Sequence, residues 1–183
     1  MIRDTHDQFG ALTKLLHWLT AVAVIGLFGS GFYMVGLDYY DPLYHLIPNY
    51  HKSFGILFGV AISSQIVWRL INKRPKPVPT LKRWEHLTAT TVQVAMYVLM
   101  ALIAFLGYLI STSAGAPISV FGWFDVPATI IGIENQADLA GFWHKWGAYT
   151  LIFLAAVHAM AALKHHFIDK DNTLRRMLLS RRD

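Results

Sequence analysis

Cysteine is absent from the 183 residues, which excludes disulfide frameworks, iron–sulfur clusters, thiolate zinc sites and thioether-attached c-type haem. Any redox group must then be held by other side chains, and nine histidines are available. Charge is also scarce: 15% of residues are Asp, Glu, Lys or Arg against 55% apolar, with a mean hydropathy of +0.40. Those proportions exclude an ordinary soluble domain and indicate a membrane protein. Low-complexity tracts, coiled-coil heptads and short repeats are missing too, and the length suits one compact membrane domain over 1–183.

Crossing about 30 Å of hydrocarbon takes roughly 20 apolar residues, and the chain supplies four such runs. They predict an all-α, four-helix membrane bundle with helices at about 12–36, 51–71, 86–111 and 142–168. The first run is too long for a signal-peptide core and is followed by no small-residue cleavage pattern, so it is expected to be retained. Arg-Pro-Lys-Pro-Val-Pro at 74–79 cannot extend a helix and reads as a semi-rigid linker. The long stretch 113–141, with Gly115, Pro117, Gly122, Pro127 and Gly132, is expected to cap the opposite surface.

Basic residues accumulate in cytoplasmic connections. Of the 16 Lys and Arg residues, 14 fall on one side: Arg3, Lys14, Arg69, Lys73, Arg74, Lys76, Lys82, Arg83, Lys164, Lys170, Arg175, Arg176, Arg181 and Arg182. Only Lys52 and Lys145 fall on the other, which carries Asp38, Asp41, Asp125, Glu134 and Asp138. Both termini and the 72–85 loop are therefore expected in the cytoplasm. The net charge of +5 is thus a topology signal, and no aromatic–basic patch supports a nucleic-acid partner.

Four histidines fall within the spans, where an ionisable group is costly and points to function. His144 and His158 share the fourth helix, about 21 Å apart along the axis and about 40° around it, so they share one face at two depths. His17 meets His158 at the inner depth, and His51 meets His144 at the outer depth. Two layers of opposed imidazoles are what a pair of six-coordinate haems needs. Flat macrocycles also need small neighbours: Gly55 and Gly59 follow His51 by four and eight residues, Gly147 follows His144 by three, and Gly31 lies at the outer depth of the first helix. A single membrane histidine is often just a hydrogen-bond partner between helices, but four that pair by depth and face are harder to explain so. Zinc fits less well, since no cluster brings three or four ligands together.

The chain resembles the bacterial cytochrome b561 family, and within it the superoxide oxidase branch. The resemblance rests on Leu-His-Trp-Leu at 16–19, His-Lys-Ser-Phe-Gly at 51–55, Trp-His-Lys-Trp-Gly at 143–147 and the run from Val157 to Met177. It implies two b haems with bis-histidine iron, one on His17 and His158, the other on His51 and His144. It further implies oxidation of superoxide to dioxygen at the outer face and transfer of the electrons to ubiquinone in an inner membrane. The third helix departs from the family pattern with Gln93 and Ala104 where a histidine and a proline are expected.

Lys52 and Lys145 each follow an outer ligand, and are expected to draw the superoxide anion inward; neutralising haem propionates is the competing role. Trp143 and Trp146 flank His144, as part of an electron path or as interfacial anchors. At the inner side Arg69 and Arg74 are candidates for propionates, and His165 and His166 for a quinone carbonyl or its protons, with snorkelling and solvation the alternatives. His86 begins the third helix and is a weaker candidate, while His6 and His45 read as loop residues. The expected function is an enzyme needing no obligatory protein partner. The alternatives are an electron-relay cytochrome b subunit of a hydrogenase, dehydrogenase or reductase, and a non-haem scaffold or transporter, for which paired broken-helix repeats would be expected.

Overall fold

The structure, a computed structural model, describes residues 1–178; Arg181 and Arg182, counted above among the inner bases, lie outside the described residues. Four helices dominate it: α1 (Ala11–Met34), α2 (Leu46–Ile71), α3 (Arg83–Thr112) and α4 (Gln136–Phe167). Each is long and apolar enough to cross a membrane. A two-stranded hairpin, β1 (Ile118–Val120) and β2 (Phe124–Val126), precedes α4, and a single turn, α5 (Arg175–Leu178), follows it.

Three helices, α2, α3 and α4, begin three or more residues earlier than the apolar runs suggest. Pro48 sits in the first turn of α2, where a missing N–H leaves no intrahelical bond unmade. The start of α4 holds polar residues that an apolar run leaves out: Asp138 in the first turn suits the positive end of the helix, and buried Gln136 donates its amide to the carbonyls of Leu109 (3.0 Å) and Ile130 (3.1 Å). Glu85 starts α3 by accepting the Lys82 N–H at 3.0 Å.

The dry centre of the bundle is Ile62, Met100 and Leu151, flanked by Phe58, Ile66, Met96, Leu99 and Ile103. Leu151 lies seven residues from both His144 and His158, so an apolar layer separates the two histidine depths. Around it Val22, Ile25, Val60, Val98 and Phe153 face outward, as side chains bathed by lipid do.

At the basic end, the N-terminal segment, the 72–82 linker and α5 form one rim. The Lys76 N–H bonds the His6 carbonyl at 2.7 Å, and the Arg176 guanidinium bonds the carbonyls of Lys76 (2.9 Å) and Asp7 (2.7 Å) beneath the ring of Phe9. Gly10 has no room for a side chain, since a Cβ would run into the backbone of Ile2 and Arg3. At the acidic end the hairpin caps α2, in register Ile118↔Val126, Ser119↔Asp125 and Val120↔Phe124. Buried Ser53 pins it, its Oγ accepting the Phe121 N–H at 3.1 Å and donating to the Ser119 carbonyl at 3.3 Å. The connecting turn uses left-handed backbone at Phe121 and Gly122, and glycine adopts this at least cost.

Candidate functional site

The two histidine pairs come together at opposite ends of the bundle. His17 of α1 and His158 of α4 have ring centres 6.3 Å apart with planes inclined by 63°. At the acidic end His51 of α2 and His144 of α4 are 6.2 Å apart and inclined by 75°. Two metal–imidazole bonds of about 2 Å, plus about 1.1 Å from each nitrogen to its ring centre, set opposed imidazoles roughly 6.3 Å apart. Both separations therefore match the spacing that one six-coordinate iron would need between its two imidazoles.

At the acidic end the second ring nitrogens are also engaged. His144 Nδ1 lies 2.9 Å from the carbonyl of Ile103, which can only accept, so Nδ1 carries the proton and Nε2 is free to ligate. His51 Nδ1 lies 2.9 Å from Ser30 Oγ, whose own hydrogen points to the Leu27 carbonyl at 3.1 Å. Oγ then accepts from His51, and again Nε2 is free. A Cβ at Gly31 would stand 3.1 Å from His51 Cε1, and one at Gly107 3.1 Å from His144 Cε1, so each ring rests over a glycine of the neighbouring helix.

Ser30 and Gly107 were not among the residues expected from the sequence. Gly107 lies five residues inside the acidic end of α3, and the depth count that pairs the histidines would have reached it. Gly55 and Gly59 occupy a different place from Gly31: they line a groove of about 260 Å³ toward Ala101, Ala104, Phe105 and Tyr108 of α3. Ala104, one of the two departures from the family pattern, would meet a Cβ at Gly59 at 3.5 Å. Gly147 brings α4 close to Ile103 of α3.

Lys145 is exposed beside His144, and Lys52 is half-buried beside His51; among the described residues neither forms a salt bridge. At the basic end Arg69 lines a small cavity with Asp4, Gln65, Trp68 and Tyr97, and its guanidinium reaches Oε1 of Gln93, the second departure, at 3.4 Å. Buried Gln65 accepts the Thr20 hydroxyl at 2.7 Å. Arg74 is exposed in the linker, away from that cavity's lining. His165 Nδ1 meets two carboxylates, Asp169 at 2.8 Å and Asp171 at 3.0 Å, and the neighbouring Lys164 bridges Glu85 (2.8 Å) and Asp169 (2.7 Å). The ammonium thus already supplies the positive charge that the cluster of Glu85, His165 and Asp169 calls for. Burial pushes the Asp171 carboxyl up, but hydrogen bonds from Thr173 and the facing His165 outweigh it and hold the group below its usual value. His166 Nδ1 is buried without a partner among the described residues.

A family model for prokaryotic cytochrome b561 matches residues 8–179. Cytochrome b561 homolog 2 of Escherichia coli (strain K12) is 47% identical over 175 residues, covering 96% of this chain and 93% of the relative. Cytochrome b561 homolog 1 of the same organism is 28% identical over 180 residues, covering 96% and 99%. A protein of Yersinia pestis named probable superoxide oxidase CybB is 29% identical over 185 residues, covering 97% and 99%. With four membrane-crossing helices and a family match along nearly its whole length, the chain belongs to the prokaryotic cytochrome b561 family, multi-pass bacterial membrane proteins of electron transfer that carry b-type haem.

Proposed function

We propose that this chain, a single domain over 1–183, oxidises superoxide to dioxygen at the periplasmic face of the inner membrane and reduces ubiquinone in the bilayer. Two superoxide anions give up one electron each, and one ubiquinone takes both with two protons. The observation that carries the reading is the two opposed imidazole pairs, with ring centres 6.2 and 6.3 Å apart, at opposite ends of one bundle. The distribution of 14 of the 16 basic residues supports cytoplasmic termini. The printed name of the Yersinia pestis relative supports the activity.

In this reading His17 and His158 hold one b haem, and His51 and His144 the other. Each haem supplies a one-electron couple, and six-coordination leaves no open iron position for substrate. Lys52 and Lys145 place positive charge beside the periplasmic pair, where the rest of the face is acidic, and attract the anion. Arg69 and Arg74 are the bases for propionates at the cytoplasmic side, Arg69 also holding Gln93. Gly31 keeps the α1 face clear beside His51, and Gly55 and Gly59 keep the α2 face open toward α3. His165 and His166 deliver protons to the reduced quinone, with Asp169 and Asp171 fixing the Nδ1 proton of His165.

Anaerobic mixing of the detergent-purified protein with superoxide, without any partner protein, tests the reading. Rapid appearance of the reduced b-haem spectrum, followed by reoxidation on adding ubiquinone, is the expected result. A protein whose haems stay oxidised with superoxide, yet are reduced once a docked redox protein is supplied, would instead be a relay subunit.

A further inference from the structure

Both imidazoles at the acidic end are held in the same way. In an α-helix the N–H of residue i+4 bonds the carbonyl of residue i, and the side chain at i+4 normally stands near that carbonyl. Gly31 is four residues after Leu27, and Gly107 is four after Ile103. Each glycine therefore leaves a carbonyl open to a side chain from the next helix. His144 uses its open carbonyl directly, 2.9 Å from Ile103 O. His51 uses its own through Ser30, whose Oγ lies 2.9 Å from His51 Nδ1 and 3.1 Å from Leu27 O. Among the described residues no such hydrogen bond reaches the rings of His17 or His158.

We propose that Ser30 is a positioning residue for His51, fixing its Nδ1–H tautomer, and that with the Ile103 carbonyl it lowers the reduction potential at the acidic-end site. Donation of Nδ1–H to an acceptor raises the basicity of the ligating Nε2, which favours ferric over ferrous iron. The Ser30 hydroxyl, itself donating to a carbonyl, is a stronger acceptor for that bond. The untied pair at the basic end lacks this bias, so an electron entering at the acidic end moves toward the more readily reduced site. This inference rests on the haem ligation proposed above.

Spectropotentiometric titration of the purified holoprotein tests it, alongside Ser30→Ala and Ser30→Thr. Ser30→Ala is expected to keep two haems per chain and to favour the reduced form of one of them about tenfold, an upward shift of about 59 mV for one electron. The other midpoint should stay put, and Ser30→Thr, which keeps the hydroxyl, should restore the first. Should Ser30→Ala shed one haem, recovery in Ser30→Thr supports the role and loss in both overturns it. Two retained haems with unchanged midpoints, or with both shifted equally, also overturn it. A His51→Ala protein that keeps both haems would instead refute the ligand assignment, whatever Ser30 does.

Discussion

Replacing Gly107 with alanine places a methyl group between α3 and the His144 imidazole. The new Cβ would stand 3.1 Å from Cε1 and 3.4 Å from Nδ1, closer than comfortable contact, so the ring must turn. Turning it breaks the 2.9 Å bond to the Ile103 carbonyl, a loss of about 0.5–1.5 kcal/mol, and an off-rotamer ring costs about as much again. In the apoprotein the ring is free to swing away, and the helix itself gains about 0.5–1 kcal/mol from Gly→Ala. With the haem ligation proposed above, iron on Nε2 would remove that freedom, so the penalty would fall on haem binding at this site. About 1–3 kcal/mol corresponds to roughly five- to 150-fold weaker retention. The assay is haem content per chain under competition with a haem-scavenging protein, alongside thermal unfolding of the apoprotein. The expected result is early loss of one haem with apoprotein stability maintained or raised; two haems held as tightly as in the parent, with unshifted spectra, would refute the reasoning.

Three other predictions concern the two faces. Lys52→Gln with Lys145→Gln should slow superoxide-driven haem reduction about tenfold at low ionic strength, with the difference closing as salt screens the charges; an unchanged rate at low salt would remove the steering role. His165→Ala with His166→Ala should cut quinol formation about a hundredfold while haem reduction by superoxide is untouched, and intact quinol formation would place the quinone site elsewhere. The depressed Asp171 carboxyl contributes stability that is complete above its unfolded value near pH 3.9 and is lost as pH falls through the lower folded value. It is bonded by His165, Thr80 and Thr173, and His165 also meets Asp169. Thermal unfolding of Asp171→Asn and the parent should therefore differ at pH 6, with the difference starting to shrink only below about pH 4 and closing as pH falls past the lower folded value; a constant difference would contradict the assignment.

Length and charge made the four helices legible, because a bilayer demands long uncharged runs whatever their packing. Helical rise and turn, with the opposite run of the first and fourth helices, were enough to pair His17 with His158 and His51 with His144. Features that depend on interhelical approach were not legible in the same way. Gly55 and Gly59 share the His51 side of α2, but small rotations about the axis turn them toward α3 and Ala104. Depth could have reached Gly107, but its opening of the Ile103 carbonyl, like the Ser30 bridge between His51 and the Leu27 carbonyl, leaves no composition signal. The hairpin over α2 was readable only as a glycine- and proline-rich stretch, since its register is set by Ser53, more than sixty residues away. Polar Gln136 and Asp138 disguised the start of α4.

Haem quantitation tests the central claim most directly, made on the purified protein and on His51→Ala and His17→Ala. Two opposed imidazole pairs predict two b haems per chain in the parent and one in each variant, with the two variants keeping different spectral components. A parent with one haem or none, or either variant retaining both, would contradict the account.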